Sequence, residues 1–238
     1  MNGSTLLKVL CTGPAVMALL ATTPASAQEN PSDLILDRPP LVTPKTEAAV
    51  EKAVRWLARA QKRDGSFSEG GGMGTYPCTM TALAGMAFLG HGDTPTRGRY
   101  AEAVRRAVRF LTDPRQVQRS GLISSPSERG RSMYGHGFST MFLAQVLGEG
   151  SEPELEARIR RVLVNAIKLT SGSQSGPGGW LYTPDSRGDE GSVTVTQVQA
   201  LRACRNAGVS VPRKVIKKAV KYIEKSMQSD GGIAYRIG

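Results

Sequence analysis

Three short segments gather the reactive side chains of this 238-residue sequence. Tyr76 and Cys78 follow the glycine run Gly70-Gly71-Gly72-Met73-Gly74. Tyr134 and His136 flank Gly135, just after Arg131-Ser132-Met133. Asp189 and Glu190 sit within Arg187-Gly188-Asp189-Glu190-Gly191. His136, Asp189, Glu190 and Tyr134 are candidate acid–base groups, since each carries a proton that a neighbouring ligand can exchange. Each segment also opens a helix, and helix N-termini attract anions. Arg129, Arg131 and Arg187 lie in the same loops. With Tyr76 and Tyr134, Arg131 and Arg187 make a candidate ligand-binding set for a diphosphate or another acidic head group with an apolar tail. Each residue has a plainer reading too. Cys78 fits a small core residue, and His136 a helix-start side chain bonding a loop carbonyl. Asp189 or Glu190 is a favourable charge at a helix N-terminus, and the arginines suit solvated loops. Only two histidines exist, neither within a motif, so a Ser–His–Asp arrangement has no support.

The elements that position these residues repeat. Ala53-Val54-Arg55-Trp56 leads to Gln61 and Gly65-Ser66-Phe67. Ala166-Ile167-Lys168-Leu169 leads to Gln174 and Gly178-Gly179-Trp180. Ala219-Val220-Lys221-Tyr222 leads to Met227 and Gly231-Gly232-Ile233. These copies align without gaps. A fourth, Ala107-Val108-Arg109-Phe110 with Gly121-Leu122-Ile123, needs two extra residues in its turn. A period of this length with two helices per copy signals stacked repeats. Between the copies lie uncharged stretches, Thr79 to Gly90, Phe138 to Gly148 and Ser192 to Leu201. The pattern predicts all-α hairpins, each pairing an amphipathic outer helix with an inner helix buried on every face. Val193-Thr194-Val195-Thr196 alternates like a strand but falls where an inner helix belongs. The turn glycines suit left-handed caps after the outer helices.

The N-terminus reads as an export signal over residues 1–27. Lys8 is followed by the apolar stretch Leu10 to Ala21 and by an Ala25-Ser26-Ala27 cleavage site. A polar, proline-bearing linker over 28–42 follows, and Thr43-Pro44 reads as a helix start. No segment has the roughly 20 apolar residues of a spanning helix. Cys78 and Cys204, the two cysteines after cleavage, make no disulfide framework. The formal net charge is +11, spread along several helices with no run interleaved by aromatics. That distribution suits solvated outer faces and argues, with export, against a nucleic-acid partner.

Trp56-Leu57, Gln61, Gly65 and Phe67 resemble the QW repeat of squalene and oxidosqualene cyclases, and Gln174 through Trp180 is a second match. The third copy departs, with Met227 and Ile233. The resemblance covers about residues 45 to 238 and implies the α/α toroid of terpenoid cyclases and protein prenyltransferase β subunits. In such a toroid, inner helices line a central cavity and their starts share one rim. It also implies a further candidate, since those transferases hold zinc with Cys, His and Asp. The matching set here is Cys78, His136 and Asp189, although the family's Asp-x-Cys spacing is absent. The D-x-D-D acid motif of cyclases and the D-D-x-x-D metal motif are absent as well. A toroid of this family has about six or seven hairpins. Three outer–inner pairs and a fourth outer helix therefore predict a truncated sequence over 43–238. The favoured expectation is an exported toroid that binds an apolar small molecule or an envelope component without catalysis. The alternative is an active cyclase or prenyltransferase-type enzyme whose motif lies outside this chain or is divergent.

Overall fold

In a computed structural model of the chain, residues 42–68, 75–150 and 152–237 are described. The expected signal peptide, all but the last residue of the expected linker and the run Gly70–Gly74 lie outside them, as does the side chain of Arg129. Seven α-helices follow in order: α1 (Pro44–Ala60), α2 (Pro77–His91), α3 (Ala101–Leu111), α4 (Ser132–Val146), α5 (Pro153–Gly172), α6 (Gly191–Asn206) and α7 (Arg213–Ser226). A 3₁₀ turn, Pro126–Arg131, leads into α4. The described residues contain no strand, and Val193–Thr196 is helical.

The odd-numbered helices are the charged outer ones. In α3, Ala103, Val104, Ala107, Val108, Phe110 and Leu111 are buried at helical spacing, while Glu102 and Arg109 face water. Prolines open α1, α2 and α5, where a missing N–H costs nothing. The inner helices α2, α4 and α6 run side by side in the same direction. Gly85 lets the Phe142 ring approach so closely that a Cβ would stand 2.6 Å from it. Gly137 gives the same approach to Thr196 and Gln197, at 2.7 Å. Phe88 and Phe142 are fully buried between these layers, each contributing about 2–3 kcal/mol of apolar burial.

Four equivalent turns leave the outer helices. In each, one backbone N–H reaches the carbonyl four residues on: Lys62 to Ser66, Gln118 to Leu122, Ser175 to Gly179 and Gln228 to Gly232, all at 2.8–2.9 Å. The two extra residues of the second copy are absorbed between Leu111 and Val117. Gly65, Gly121, Gly178 and Gly231 take φ of +88°, +92°, +113° and +85°. The expected left-handed residue is present, but it lies inside the turn rather than capping the helix. In the first three turns the glycine also permits a close approach. A Cβ on Gly65 would come 2.3 Å from the Arg106 carbonyl oxygen, so the turn rests directly on the next outer helix.

One expectation is corrected. The inner helices are not buried on every face. Each leaves one stripe open, at Leu83 and Ala87 of α2, Gln145 of α4 and Val195, Gln199 and Arg202 of α6. A long uncharged run, Ser192 to Leu201 in α6, marks each as an inner helix; it does not mark every side as covered.

Candidate functional site

The open stripes share one register. Tyr76, Met80, Leu83 and Ala87 are the stripe at α2. Tyr134, Phe138, Met141 and Gln145 are the stripe on α4, and they are its only residues short of full burial. Ser192, Val195, Gln199 and Arg202 continue it on α6. Steps of three and four residues keep each set on one helical face. Laid side by side, those of α4 and α6 form a surface with polar ends and an apolar middle of Phe138, Met141 and Val195; on α2, Met86 meets this face at Gln145, while Met80, Leu83 and Ala87 line a groove with Trp56 and Leu57. At the C-terminal ends of α4 and α6 this surface dips into a recess of about 390 Å³, lined by Met141, Gln145, Gln199 and Arg202 among others.

The opposite end carries a tyrosine cluster around Glu190. This fully buried carboxylate caps α6, accepting from Val193 N at 2.7 Å, Ser192 N at 3.2 Å and Tyr134 Oη at 3.1 Å. Tyr134 also bonds the Ser192 hydroxyl. Tyr182 and Tyr235 meet through their hydroxyls at 3.1 Å, and the Tyr134 and Tyr182 rings lie 6.1 Å apart. The Arg131 guanidinium sits over the Tyr182 ring at 5.2 Å. Burial pushes the Glu190 carboxyl up, but donors from Tyr235, Ser192 and Val193 outweigh it and hold the group below its ordinary value. Burial, together with the Glu190 charge, pushes the Tyr134 phenol up. The pair therefore holds an ionised acid and a neutral phenol donor.

The helix starts are already occupied from within. Glu128, unremarked in the sequence, is buried and accepts from Thr79 N at 3.0 Å, Thr79 Oγ1 at 3.1 Å and Ser125 N at 3.0 Å. It thus caps α2 from another repeat, while Glu190 caps α6. The anion-attracting positions inferred for an external head group are filled by the chain's own carboxylates there. Ser125-x-x-Glu128 spells a capping box, a signal present in the sequence. Its reach to Thr79 is tertiary and had no local sign.

His136 is fully buried. Its Nδ1 accepts from Ile123 N at 3.2 Å, and its Nε2–H is left to face Thr170 Oγ1 at 2.9 Å. Burial lowers its pKa to about 4, so it is neutral. Its place explains this. Thr81 accepts from Phe67 N at 2.9 Å and Thr194 from Trp180 N at 3.0 Å. His136 does the same for Ile123 in the second repeat. Cys78 is buried, its Sγ 3.7 Å from Gln116 Oε1, and burial followed by the Glu128 charge pushes the thiol up. Asp189 packs on Gly179 and, with Thr194, faces the buried Tyr222 hydroxyl, whose pKa burial and Asp189 push up to about 12. Cys78, His136 and Asp189 are thus engaged separately. Among the described residues no three His, Cys, Asp or Glu side chains converge on a metal position. Tyr134, Glu190 and Arg131 are brought to one cluster; Tyr76 precedes α2 and Arg187 is exposed on the loop before α6.

No family model matches the chain, and no curated protein does. Among solved structures it is similar to a polysaccharide lyase, with a TM-score of 0.52 and 19% identity over 67% of this chain and 50% of that one. The chain therefore spans half the length of that structure. The likeness establishes the fold: all-α, of the α/α-toroid type.

Proposed function

We propose that this is an exported binding protein whose inner-helix face holds an amphiphilic ligand, an isoprenoid-like molecule or another apolar envelope component. The observation that supports this most is the shared open register of α2, α4 and α6. An apolar band of Phe138, Met141 and Val195, with Met86 at its α2 side, lies between a tyrosine end and a Gln145–Gln199–Arg202 end. Apolar surface held open to water is costly, and a ligand body covering it recovers about 25 cal/mol per Å². Arg202 offers a charge for an acidic group. This departs from the sequence expectation, which put the head group at the helix starts. The QW-like residues support an isoprenoid ligand by resemblance alone. A catalytic reading, cyclase or prenyltransferase, would need an acid or metal set beyond these residues.

Binding of farnesol and farnesyl diphosphate to the full chain, measured by calorimetry, tests the reading. Saturable binding that Val195→Glu weakens more than about tenfold is expected. No binding of either ligand, with no lipid extracted from the purified protein, would refute it. Export predicts a recovered protein beginning at Gln28, which N-terminal sequencing reads.

A second reading has its own support. Tyr134, Tyr182 and Tyr235 beside Glu190 and Arg131 offer stacking faces, hydroxyl partners and a cation, the chemistry of an acidic sugar. One structure of similar fold is a polysaccharide lyase. Binding of oligouronates lost on Tyr182→Ala, with farnesyl diphosphate inert, would favour this alternative.

A further inference from the structure

Two departures from the repeat meet at the start of α2. The first is the insertion between Leu111 and Val117, which carries Gln116; the other three copies do without it. The second lies two residues beyond Ile123. The next two copies have Tyr182 and Tyr235 at that place, two residues beyond Trp180 and Ile233. Their carbonyls accept from Met133 N at 3.0 Å and Gly191 N at 2.7 Å, so each tyrosine lies across the start of a neighbouring inner helix. The second copy has Ser125 instead. Glu128 accepts from both Ser125 N and Thr79 N, so Ser125 stands at the start of α2. With a serine in place of a tyrosine, a cleft of about 440 Å³ is open there, lined by Gln116, Ser125, Ser127, Lys62, Asp64 and Phe110 among others. That is within the range of about 300–1,000 Å³ found for small-molecule sites.

The lining offers polar groups that the fold does not use. Gln116 is 9% exposed and is held by the bond from Ser124 N to its carbonyl at 2.9 Å. Its Oε1 meets only the Cys78 thiol at 3.7 Å, and its Nε2 has no partner among the described residues. A buried amide donor in that state is destabilising until something accepts from it. Asp64 Oδ1 accepts from Ser66 N at 3.0 Å and Ser66 Oγ at 2.7 Å, which leaves Oδ2 for another donor. Burial pushes this carboxyl up, but the Ser66 donors outweigh it and hold the group below its ordinary value, so it is ionised. Lys62 bonds Ser68 across the same turn. One positive and one negative charge cancel, so the cleft selects for neither an anion nor a cation. The Ser125 and Ser127 hydroxyls lie 2.7 Å apart; one donates to the other, and one proton of the pair remains to be given. Phe110, with Pro77 and Pro126, supplies an apolar wall.

We propose that this cleft is a subsite for one neutral sugar ring. Its hydroxyls donate to Asp64 Oδ2 and accept from Gln116 Nε2 and the Ser125–Ser127 pair, while its C–H face lies on Phe110. The cleft shares no residue with the open face of the inner helices, so the assignment stands whichever ligand that face takes.

Calorimetry of the full chain with cellotriose, mannotriose and triacetylchitotriose, three neutral oligosaccharides, tests this. Saturable binding of at least one is expected. Gln116→Met keeps the bulk and removes the amide; Ser125→Tyr restores the side chain of the other copies and fills the cleft. Each should weaken that binding more than about tenfold with unchanged helical circular dichroism. Should either lose helix, Ser127→Trp, at an exposed site, blocks the cleft instead. Val195→Glu, on the open face, should leave sugar binding as it is. A wild-type chain inert to all three sugars overturns the inference. So does binding that survives the cleft variants, or that Val195→Glu abolishes, which assigns the sugar to the open face. Binding of trigalacturonate alone, lost on Ser125→Tyr, overturns it in favour of an anion site.

Discussion

The buried histidine makes the stability of this protein depend on pH in a calculable way. In the unfolded chain, His136 titrates near its ordinary value of 6.5; in the folded chain, burial lowers it to about 4. Above both values neither state is protonated there, and the folded state is at full strength. As pH falls through the unfolded value, the unfolded state gains a proton that the folded state refuses. Stability is lost until the folded value is passed. The gap of about 2.5 units at 1.36 kcal/mol each amounts to roughly 3 kcal/mol, falling at about 1 kcal/mol per pH unit near its middle. His136→Gln removes the titration while keeping an acceptor for Ile123 N. Urea unfolding of both proteins, followed by fluorescence of the fully buried Trp180, gives stability at each pH. Carboxylates and His91 are common to both, so their contributions cancel in the difference. Wild type should lose about 3 kcal/mol more than His136→Gln between about pH 7.5 and pH 4. Parallel curves would refute a neutral, solvent-excluded His136.

The other histidine should behave oppositely. His91 Nδ1 lies 2.8 Å from Asp93 and Nε2 3.1 Å from Glu51; the Asp93 bond, aided by Glu51, raises its pKa against burial. Its contribution is full below the ordinary histidine value and lost as pH rises through the raised one. His91→Ala should therefore cost about 0.5–1 kcal/mol at about pH 6 and less at about pH 9, by the same unfolding assay. Gln174 Nε2 donates to the Gly178 and Val215 carbonyls at 2.9 and 3.0 Å, so Gln174→Ala should cost about 1–3 kcal/mol in urea unfolding. Gly178→Ala meets both a φ of +113° and the Lys218 carbonyl, and should lower the thermal midpoint more than Gln174→Ala does. Cys78 and Cys204 are free and buried, with the Cys204 thiol pushed up to about 12 by burial. Both should react with a thiol reagent only at the rate of unfolding.

The repeat was legible because its signature is local. Trp56, Phe110, Leu169 and Tyr222 mark equivalent helix positions, and the glycine that each turn needs stands at a fixed distance from Gln61, Val117, Gln174 and Met227. The division into charged outer and uncharged inner helices followed from burial alone. The site was less legible. Glu128 caps a helix 49 residues away, a pairing that no sequence spacing states. His136 looked reactive because histidine is rare here, yet it stands in the place of Thr81 and Thr194. The open stripe was hidden because a solvent-facing methionine or valine reads like a core one.

That substitution of histidine for threonine coincides with another change in the same repeat. Gln61 and Gln174 each tie their turn to the next outer helix, through the Ala103 and Val215 carbonyls. The second turn has Val117 and lacks such a tie. His136 is longer than threonine, and its far nitrogen reaches Thr170 on α5, the next outer helix. The strap between neighbours has moved from the beginning of the turn to the helix behind it. A repeat array can therefore keep its pitch while relocating its fastening, and the residue chosen here takes up a proton in acid, at the Nδ1 that accepts from Ile123 N, while the two amides do not. Acid should thus free the second turn from its own inner helix while the Nε2–H bond to Thr170 holds, so the array loosens first in its middle rather than by fraying from an end.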